Sequence, residues 1–510
     1  MGSKIFRNVG GLKPGRSVFN LSYTKLFTAD LGLLYPVMHD EMVPGDTFVI
    51  GNEIVVRMMP MVTPILHEIN AYVHYFFVPY RLLWPEAAGP VGWQTFITGG
   101  ILGTDTPTLP RWSPTTYTEG SLWDYLGFPV GISPTGALPI KFPMNAYNMI
   151  YNEYYRDETL IAAISLDTEV IQKRAWDKDY FTSSLPWQQK GTAPALPISG
   201  SAVFAASIGV ASASSGGSIR ITAGSTSVFA ASAAGSGGSD VYEARKANLD
   251  SNTLTTATFN ISDLRLTTQI QKFLERNARV GSRHVEFIRA HFGPTGLRDD
   301  RLQRPEYIGG SKSPIIVSEV LQTSSSTIAA STPQGTMAGH GLTADQNHIC
   351  KYTAPEFGIV MGILSVMPKP MYSQGINKQW LRTTKYDFYF PEFAHLSEQA
   401  ILRAEIFANA VSGDNNTVFG YQGRYDEMRI KHNLVCGKMR YGGAAPFPQW
   451  HLAREFATYP TLNQTFIECV PRKTYLASAS DPAMVVHFAN IIKAIRPMPM
   501  ESQPGLMDHF

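Results

Sequence analysis

The run Asn70–Val78 is apolar on both of the faces a strand would present, and Pro79 stops it. Such a segment must be buried between two layers, because a strand with one face in water alternates apolar and polar residues. Nearby, Phe48 and Ile50, then Ile54 and Val56, recur at period two. Further strand-like runs follow at Ile315–Val320, Gly358–Val366 and Asp387–Tyr389, separated by Pro-rich turns. No strand–helix–strand rhythm accompanies them, so a parallel sheet is excluded and an antiparallel sandwich with helical insertions is expected. With 510 residues the chain can bury a large core.

Two segments read as helices. Tyr147, Ile150, Tyr151 and Tyr154 fall at i, i+3, i+4 and i+7, with Asn145, Asn152, Glu153 and Arg156 opposite. A second helix is expected over Leu264–Phe292, with Leu266, Ile270, Phe273 and Leu274 on its apolar face and Gly281 interrupting it. Between them, Ser199–Ser239 consists mainly of Ser, Ala and Gly, with Arg220 its one charge. A disordered linker has this composition. Two details point instead to a small β excursion that packs against copies of itself. Val203–Ser207 (VFAAS) returns as Val228–Ser232, and Ile219 and Ile221 alternate with polar residues.

Charge is scarce. Lys and Arg number 43 against 41 Asp and Glu, a net charge of +2, and charged residues make up 16% of the chain. The usual share is about 25%, so much of the exterior is expected to be covered by other chains. What excess exists is local. Residues 1–29 hold Lys4, Arg7, Lys13, Arg16 and Lys25 with no acid, and Leu264–Arg304 holds Arg276, Arg279 and Arg283. The first reads as an extended basic arm, either strapped across a neighbouring subunit or in contact with nucleic acid. The second reads as a solvated helix face or as a contact with nucleic acid or a neighbour.

No catalytic constellation emerges. Gly10–Ser17 approximates a phosphate-binding loop but has Arg16 where the lysine belongs, and no strand precedes it. His67-Glu68 lacks the second histidine of a zinc-protease helix, and His284 with His291 gives too few ligands for a metal. Cys350, Cys436 and Cys469 are far apart and form no zinc spacing, which suits inert thiols in a reducing compartment. The N-terminus has no secretory pattern, and the apolar run Phe357–Met367 is too short to span a bilayer. No catalytic, cofactor or metal residue is assigned, and a structural protein made in a cytoplasm is expected.

Six strings in order then carry a resemblance: HDEMVPGD (His39–Asp46), FFVPYRLLW (Phe76–Trp84), NEYYRDE (Asn152–Glu158), RLQRPEYIGG (Arg301–Gly310), FYFPEFAHLSEQ (Phe388–Gln399) and FGYQGRYDEMR (Phe419–Arg429). Together they resemble the major capsid protein of microviruses, small icosahedral single-stranded DNA phages, closest to the gokushovirus branch. The likeness covers most of residues 1–180 and 260–470. It implies a mainly β fold, an eight-stranded antiparallel jelly roll with large loop and helical insertions. It also implies sixty copies closing an icosahedral shell around circular single-stranded DNA, with an internal scaffolding protein during assembly. A three-fold protrusion used in host-cell attachment is implied where Ser199–Ser239 lies.

On this basis the chain divides into an arm (1–30), a first part of the jelly roll with a helical insertion (31–185), the protrusion (186–258), and the remaining jelly roll with helix 264–292 and a C-terminal extension (259–510). DNA contacts are expected at Lys4, Arg7, Lys13, Arg16, Arg276, Arg279 and Arg283. Receptor contacts are expected at Val203, Phe204, Arg220, Val228 and Phe229. Intersubunit contacts are expected at Tyr147, Tyr151, Tyr154, Trp84 and Arg304, although each could equally be an intrachain core contact. Expected partners are copies of the chain, the scaffolding protein, a small basic DNA-packaging protein, single-stranded DNA bound without regard to sequence, and a host surface receptor, with no membrane insertion. The competing class is a trimeric jelly-roll adhesin or carbohydrate-binding protein. In the turn of Val43–Asp46, Pro44 fixes φ, Gly45 accepts φ > 0 and Asp46 bonds back to the backbone.

Overall fold

The computed structural model describes residues 15–87, 91–100, 104–112, 117–132, 136, 138–194, 261–279, 303–321, 337–410, 412–441 and 447–501. The chain separates into two units, Gly191–Leu274 and the remainder, and the strands belong to the remainder. They are β1 (Ser17–Asn20), β2 (Tyr23–Ala29), β3 (Tyr35–Met42), β4 (Thr47–Met58), β5 (Ile69–Pro79), β6 (Glu306–Leu321), β7 (Met337–Thr353), β8 (Gly358–Pro368), β9 (Met371–Tyr372), β10 (Glu398–Leu402), β11 (Val418–Gly423), β12 (Asn433–Leu434) and β13 (Met484–Arg496).

β1 and β2 are one strand with a short break. Ser17 pairs with Arg496, Asn20 with Lys493, Tyr23 with Asn490 and Ala29 with Met484, so the register on β13 never slips. The main strands then form two antiparallel sets of four, β1/β2–β13–β4–β7 and β3–β8–β5–β6. This is the eight-stranded jelly roll. The two sets join through β6, whose first part, Glu306–Ile315, pairs with β5 and whose last part, Ile316–Leu321, pairs with β7. The strand changes sheet around Pro314, which cannot donate to a ladder.

The extended arm expected over residues 1–30 is corrected from Ser17 onward, where the chain is strand, while residues 1–14 lie outside the described residues. Phe19, Leu21, Tyr23 and Phe27 pack against the core at period two, and this alternation carries the jelly roll back to Ser17. Lys25 points inward, donating to the carbonyls of Pro36 and Tyr125, and burial lowers its pKa to about 8. The turn before β4 behaves as expected. Gly45 has φ 88°, and the Asp46 carboxylate accepts from the Val43 amide at 3.1 Å. Asp46 is fully buried and faces Arg496 at 3.4 Å.

The two sheets differ in how they are covered. β8 is buried along its whole length. Beside it, β5 meets β4 across the sandwich, where Asn52 donates to the Tyr75 hydroxyl at 3.3 Å. The outer face of β5 and β8 is roofed by the insertion after β5. A helix over Phe142–Ile150 runs into a wider turn, Tyr151–Tyr155, closed by the Arg156 amide on the Tyr151 carbonyl. Tyr154 packs on Phe76 at 4.8 Å, the Tyr155 ring lies over His74, and Arg174 reaches Ser365 at 2.7 Å while its guanidinium covers Tyr72. Among the described residues, the sheet of β1/β2, β13, β4 and β7 is packed on its inner face.

A second apolar cluster, with Tyr180, Phe181, Tyr372, Ile401, Ile406, Phe419, Phe466 and Ile467 among its members, lies mainly in the insertion between β8 and β13. Asp387 there ends a single 3₁₀ turn, Lys385–Asp387, where a strand was expected over Asp387–Tyr389. The Asp387 side chain accepts from the Thr383 and Thr384 amides, so local capping overrides the β-prone aromatics. The second helix covers Ile261–Arg279, and residues 280–292 lie outside the described residues.

Several histidines are built in as neutral rings. His67 bonds through Nε2 to the Lys369 carbonyl at 2.7 Å and accepts the Leu452 amide on Nδ1 at 3.4 Å. Accepting on Nδ1 requires the neutral ring. Burial lowers His67, His39 and His74 to about 4. Because the unfolded chain binds these protons more readily, stability is full above about pH 6.5 and declines as pH falls toward 4. We expect a lower melting temperature at pH 5 than at pH 7, with a shallower fall in His67→Gln, whose amide can both donate and accept. A second expectation concerns the first turn: Asp46→Ala should cost about 2–3 kcal/mol in chemical denaturation, since it frees an amide and leaves Arg496 facing a buried gap.

Candidate intersubunit surface

The helix proposed for intersubunit contacts is mostly core. Tyr147 is wholly buried, donating its hydroxyl to the Leu34 carbonyl and accepting the Gln172 amide, and Tyr151 is buried beside it. Polar side chains of the same helical segment are used as well. Asn148 donates to the Leu166 and Thr168 carbonyls, and Asn152 exchanges two hydrogen bonds with Ile164. The aromatic face is consumed in roofing β5 and β8, which corrects the interface expectation for Tyr147 and Tyr151. Tyr154 is half-buried, with Arg304 stacked on its ring at 4.6 Å. Trp84 is half-buried against Phe96.

Of the residues expected to meet DNA, Arg16 and Arg276 are exposed. Arg279 is engaged within the chain, by Glu398 at 2.7 Å and by the Ser397 carbonyl. Lys4, Arg7, Lys13 and Arg283 lie outside the described residues, as do Val203, Phe204, Arg220, Val228 and Phe229. Of the expected apolar face of the second helix, Leu266, Ile270 and Phe273 are exposed and Leu274 is half-buried.

The surface that stands out is one the residue spacing did not single out. Between Trp380 and Phe390 five aromatic side chains lie exposed: Trp380 (75%), Tyr386 (54%), Phe388 (53%), Tyr389 (50%) and Phe390 (43%). At about 200 Å² per ring they offer roughly 500 Å² of aromatic surface. That is over half of the about 800 Å² each partner contributes to a standard interface. The segment is held from below by buried charge. Arg382 pairs with Glu427 at 3.3 Å, Gln399 donates to the same carboxylate at 2.6 Å, and the Arg382 guanidinium lies 5.1 Å from the Phe388 ring centre. Beneath it, Lys378 donates to Glu405 at 3.0 Å and Tyr180 donates to the other oxygen at 3.0 Å.

Two of the strings quoted above meet here. FYFPEFAHLSEQ runs into β10 and FGYQGRYDEMR takes in all of β11 after Val418, and these antiparallel strands pair Glu398 with Gly423. At its end Tyr425 is held at φ 63°, a conformation costly for a residue with a side chain. Its hydroxyl donates to the Phe388 carbonyl at 2.9 Å, and its ring meets Tyr389 edge-on at 5.2 Å. Arg424 donates to the Tyr386 carbonyl at 2.6 Å. The exposed rings are thus fixed before any partner arrives, which lowers the entropy cost of association.

This arrangement can bind but has little means of catalysis. Burial raises Glu405 despite its Lys378 and Tyr180 partners, and both buried carboxylates already have donors. Among the described residues no group of three or more His, Cys, Asp or Glu could hold a metal ion, and no helix is long and apolar enough to cross a membrane. Burial pushes the Cys350 thiol up to about 11 and Cys469 higher still.

A family model described as Capsid protein (F protein) matches residues 8–506. The chain belongs to this capsid protein family. It is 33% identical to Capsid protein VP1 of Chlamydia phage 1, over 96% of both chains. It is 31% identical to Capsid protein VP1 of Bdellovibrio phage phiMH2K, over 99% of this chain and 98% of that one. To Capsid protein VP1 of Spiroplasma virus 4 it is 30% identical, over 96% of this chain and 95% of the relative. The microvirus resemblance read from the six strings stands, and the protein is a structural capsid component of the virion with no enzymatic role.

As a member of this family it assembles with copies of itself, and the aromatic surface has the character of such a contact. Phe388→Ala and Trp380→Ala should each weaken assembly by at least tenfold in subunit concentration while leaving the far-ultraviolet circular dichroism and melting temperature of the unassembled chain unchanged. Arg382→Met should do both kinds of damage, because it strands Glu427 without its cation.

Proposed function

We propose that the chain is the major shell subunit of a microvirus particle, sixty copies of which close an icosahedral shell around circular single-stranded DNA. The observation that carries this reading is a preorganised, exposed aromatic surface on a jelly roll in a chain matched to capsid proteins over nearly its whole length. Repetition lets one modest contact, made by every copy, sum to a closed and cooperative assembly. Assembly takes place in the bacterial host's cytoplasm with an internal scaffolding protein. The segment Ser199–Ser239 forms the three-fold protrusion and meets the host receptor.

Charge limits what the coat does to its cargo. Sixty copies at +2 carry about +120, against genome phosphates on the order of thousands. A small basic packaging protein and counterions supply the remainder, and the coat's own contacts with DNA are few and independent of sequence.

Electron microscopy of material purified from producing cells, with a nuclease-protection assay on the same fraction, tests the reading. Closed icosahedral particles holding protected single-stranded DNA are the expected result. Soluble trimers without nucleic acid would overturn it in favour of an adhesin.

A further inference from the structure

Among the described residues, one sheet of the jelly roll keeps an exposed outer face. Along β13 the residues Met484, Val486, Phe488, Asn490, Ile492 and Ala494 point into the core, so Val485, His487, Ala489, Ile491 and Lys493 point out. Register extends this outer face across three more strands. Lys493 lies opposite Asn20 on β1 and Val49 on β4, and Val49 lies opposite Lys351 on β7. His348 lies across from Gly51 and Ile491, Gln346 from Glu53 and Ala489, and His487 stands between Leu26 and Val55. Arg57 is flanked by Val485 and Leu342. Leu26 is 72% exposed, and Ile316 on the adjoining part of β6 is 71% exposed.

Three fixed cations (Arg57, Lys351 and Lys493), three histidines (His340, His348 and His487) and one acid, Glu53, are the ionisable groups of these rows. Their net charge of +2 with neutral histidines equals that of the whole chain. Arg57, Lys351 and Lys493 are exposed, and among the described residues none of them forms an ion pair. The Lys493–Lys351 row and the Arg57 row are eight residues apart on β4, about 27 Å at strand rise, and the two lysines sit about 10 Å apart across β4. The face is lined mainly by aliphatic and small side chains, holds no Phe, Tyr or Trp, and has the imidazoles of His340, His348 and His487 as its only rings among the described residues.

We infer that this bare face is a phosphate-contacting surface for single-stranded nucleic acid, engaging the backbone through Lys351, Lys493 and Arg57. The inference rests on the packaging reading above and adds where the coat touches its cargo. Complementary charge favours a polyanion, and spaced single cations with no Phe, Tyr or Trp beside them suit backbone contacts that ignore sequence. A strand neutralised at three positions has a binding slope of about −2 against the logarithm of salt, so its dissociation constant rises about 20-fold between 50 and 200 mM.

The test uses the full chain released from particles, a fluorescent thirty-nucleotide oligothymidylate, and anisotropy across that salt range. Wild type should show the 20-fold rise. The triple variant K351Q/K493Q/R57Q should bind at least tenfold more weakly at 50 mM with a nearly flat salt response, and K351R/K493R should behave as wild type, which separates charge from folding. A charge-matched control, K385Q/K431Q/K438Q, should keep wild-type affinity. Equal losses in the two triple variants, or an unchanged sheet triple, would overturn the inference. So would competition by polyglutamate as strong as by the oligonucleotide, which would point to an acidic protein segment instead. Wild-type particles without nuclease-protected DNA would sink the packaging reading, whereas protected DNA alongside an unchanged sheet triple would sink this inference alone.

Discussion

Burial of β8 on both faces is the constraint from which the rest of the molecule follows. A strand reading GIVMGILSVMP has no face to give to water, so each side must be covered by the chain itself. The inner side is covered by the opposing sheet. For the outer side the chain spends much of the insertion after β5, and this consumes the tyrosines of residues 147–155 that otherwise look suited to an interface. Even Gly362, in the middle of the strand, reflects the crowding: a Cβ there would stand 2.8 Å from the Tyr75 ring. Having roofed one sheet so heavily, the fold leaves the outer face of the other to whatever surrounds the protein.

The insertion between β8 and β13 solves a different problem. It is long and rich in short turns, and only its Leu452, Tyr475, Leu476 and Ala483 among the described residues join the main core, so the rest needs its own means of staying rigid. Two buried ion pairs, Arg382–Glu427 and Lys378–Glu405, supply direction where the apolar cluster supplies cohesion. Such pairs add little net stability against apolar replacements of the same shape, but breaking either one is costly. That asymmetry suits a surface that must present its rings in a single arrangement, because alternative packings would strand a charge. The left-handed Tyr425 fits the same account: its strain is tolerated because its hydroxyl, its ring and its neighbour Arg424 all fix the aromatic segment.

The jelly roll was legible in the sequence where periodicity was strong and local. Asn70–Val78, Gly358–Val366 and the Val43–Asp46 turn behave as their residues dictate. The strand Ser17–Ala29 was missed because its lysines and arginine drew attention to charge, although Phe19, Leu21, Tyr23 and Phe27 already alternated. Lys25 shows why charge misleads here: its stem follows the strand inward and its ammonium finds two carbonyls. The helix of tyrosines was identified, but a helical wheel cannot say whether an aromatic face meets its own sheet or another molecule. The exposed rings of residues 380–390 escaped because they follow no period. They are set by 3₁₀ turns and by Arg382 and Tyr425, which no spacing rule connects.

Low overall charge acquires a meaning once the exposed residues are placed. A chain at +2 with 16% charged residues has little electrostatic repulsion to stop copies from approaching. Cohesion between copies then falls to apolar and aromatic surface, a character that the exposed segment Trp380–Phe390 has, with its side chains already ordered. Contacts of this kind are weak singly, so an isolated pair of subunits dissociates readily, while a closed shell loses several at once if any copy leaves. The same scarcity makes the few unpaired cations of the bare sheet conspicuous. They stand among Leu26, Val485, Ile491 and Ile316, with Glu53 the one acid in the same rows.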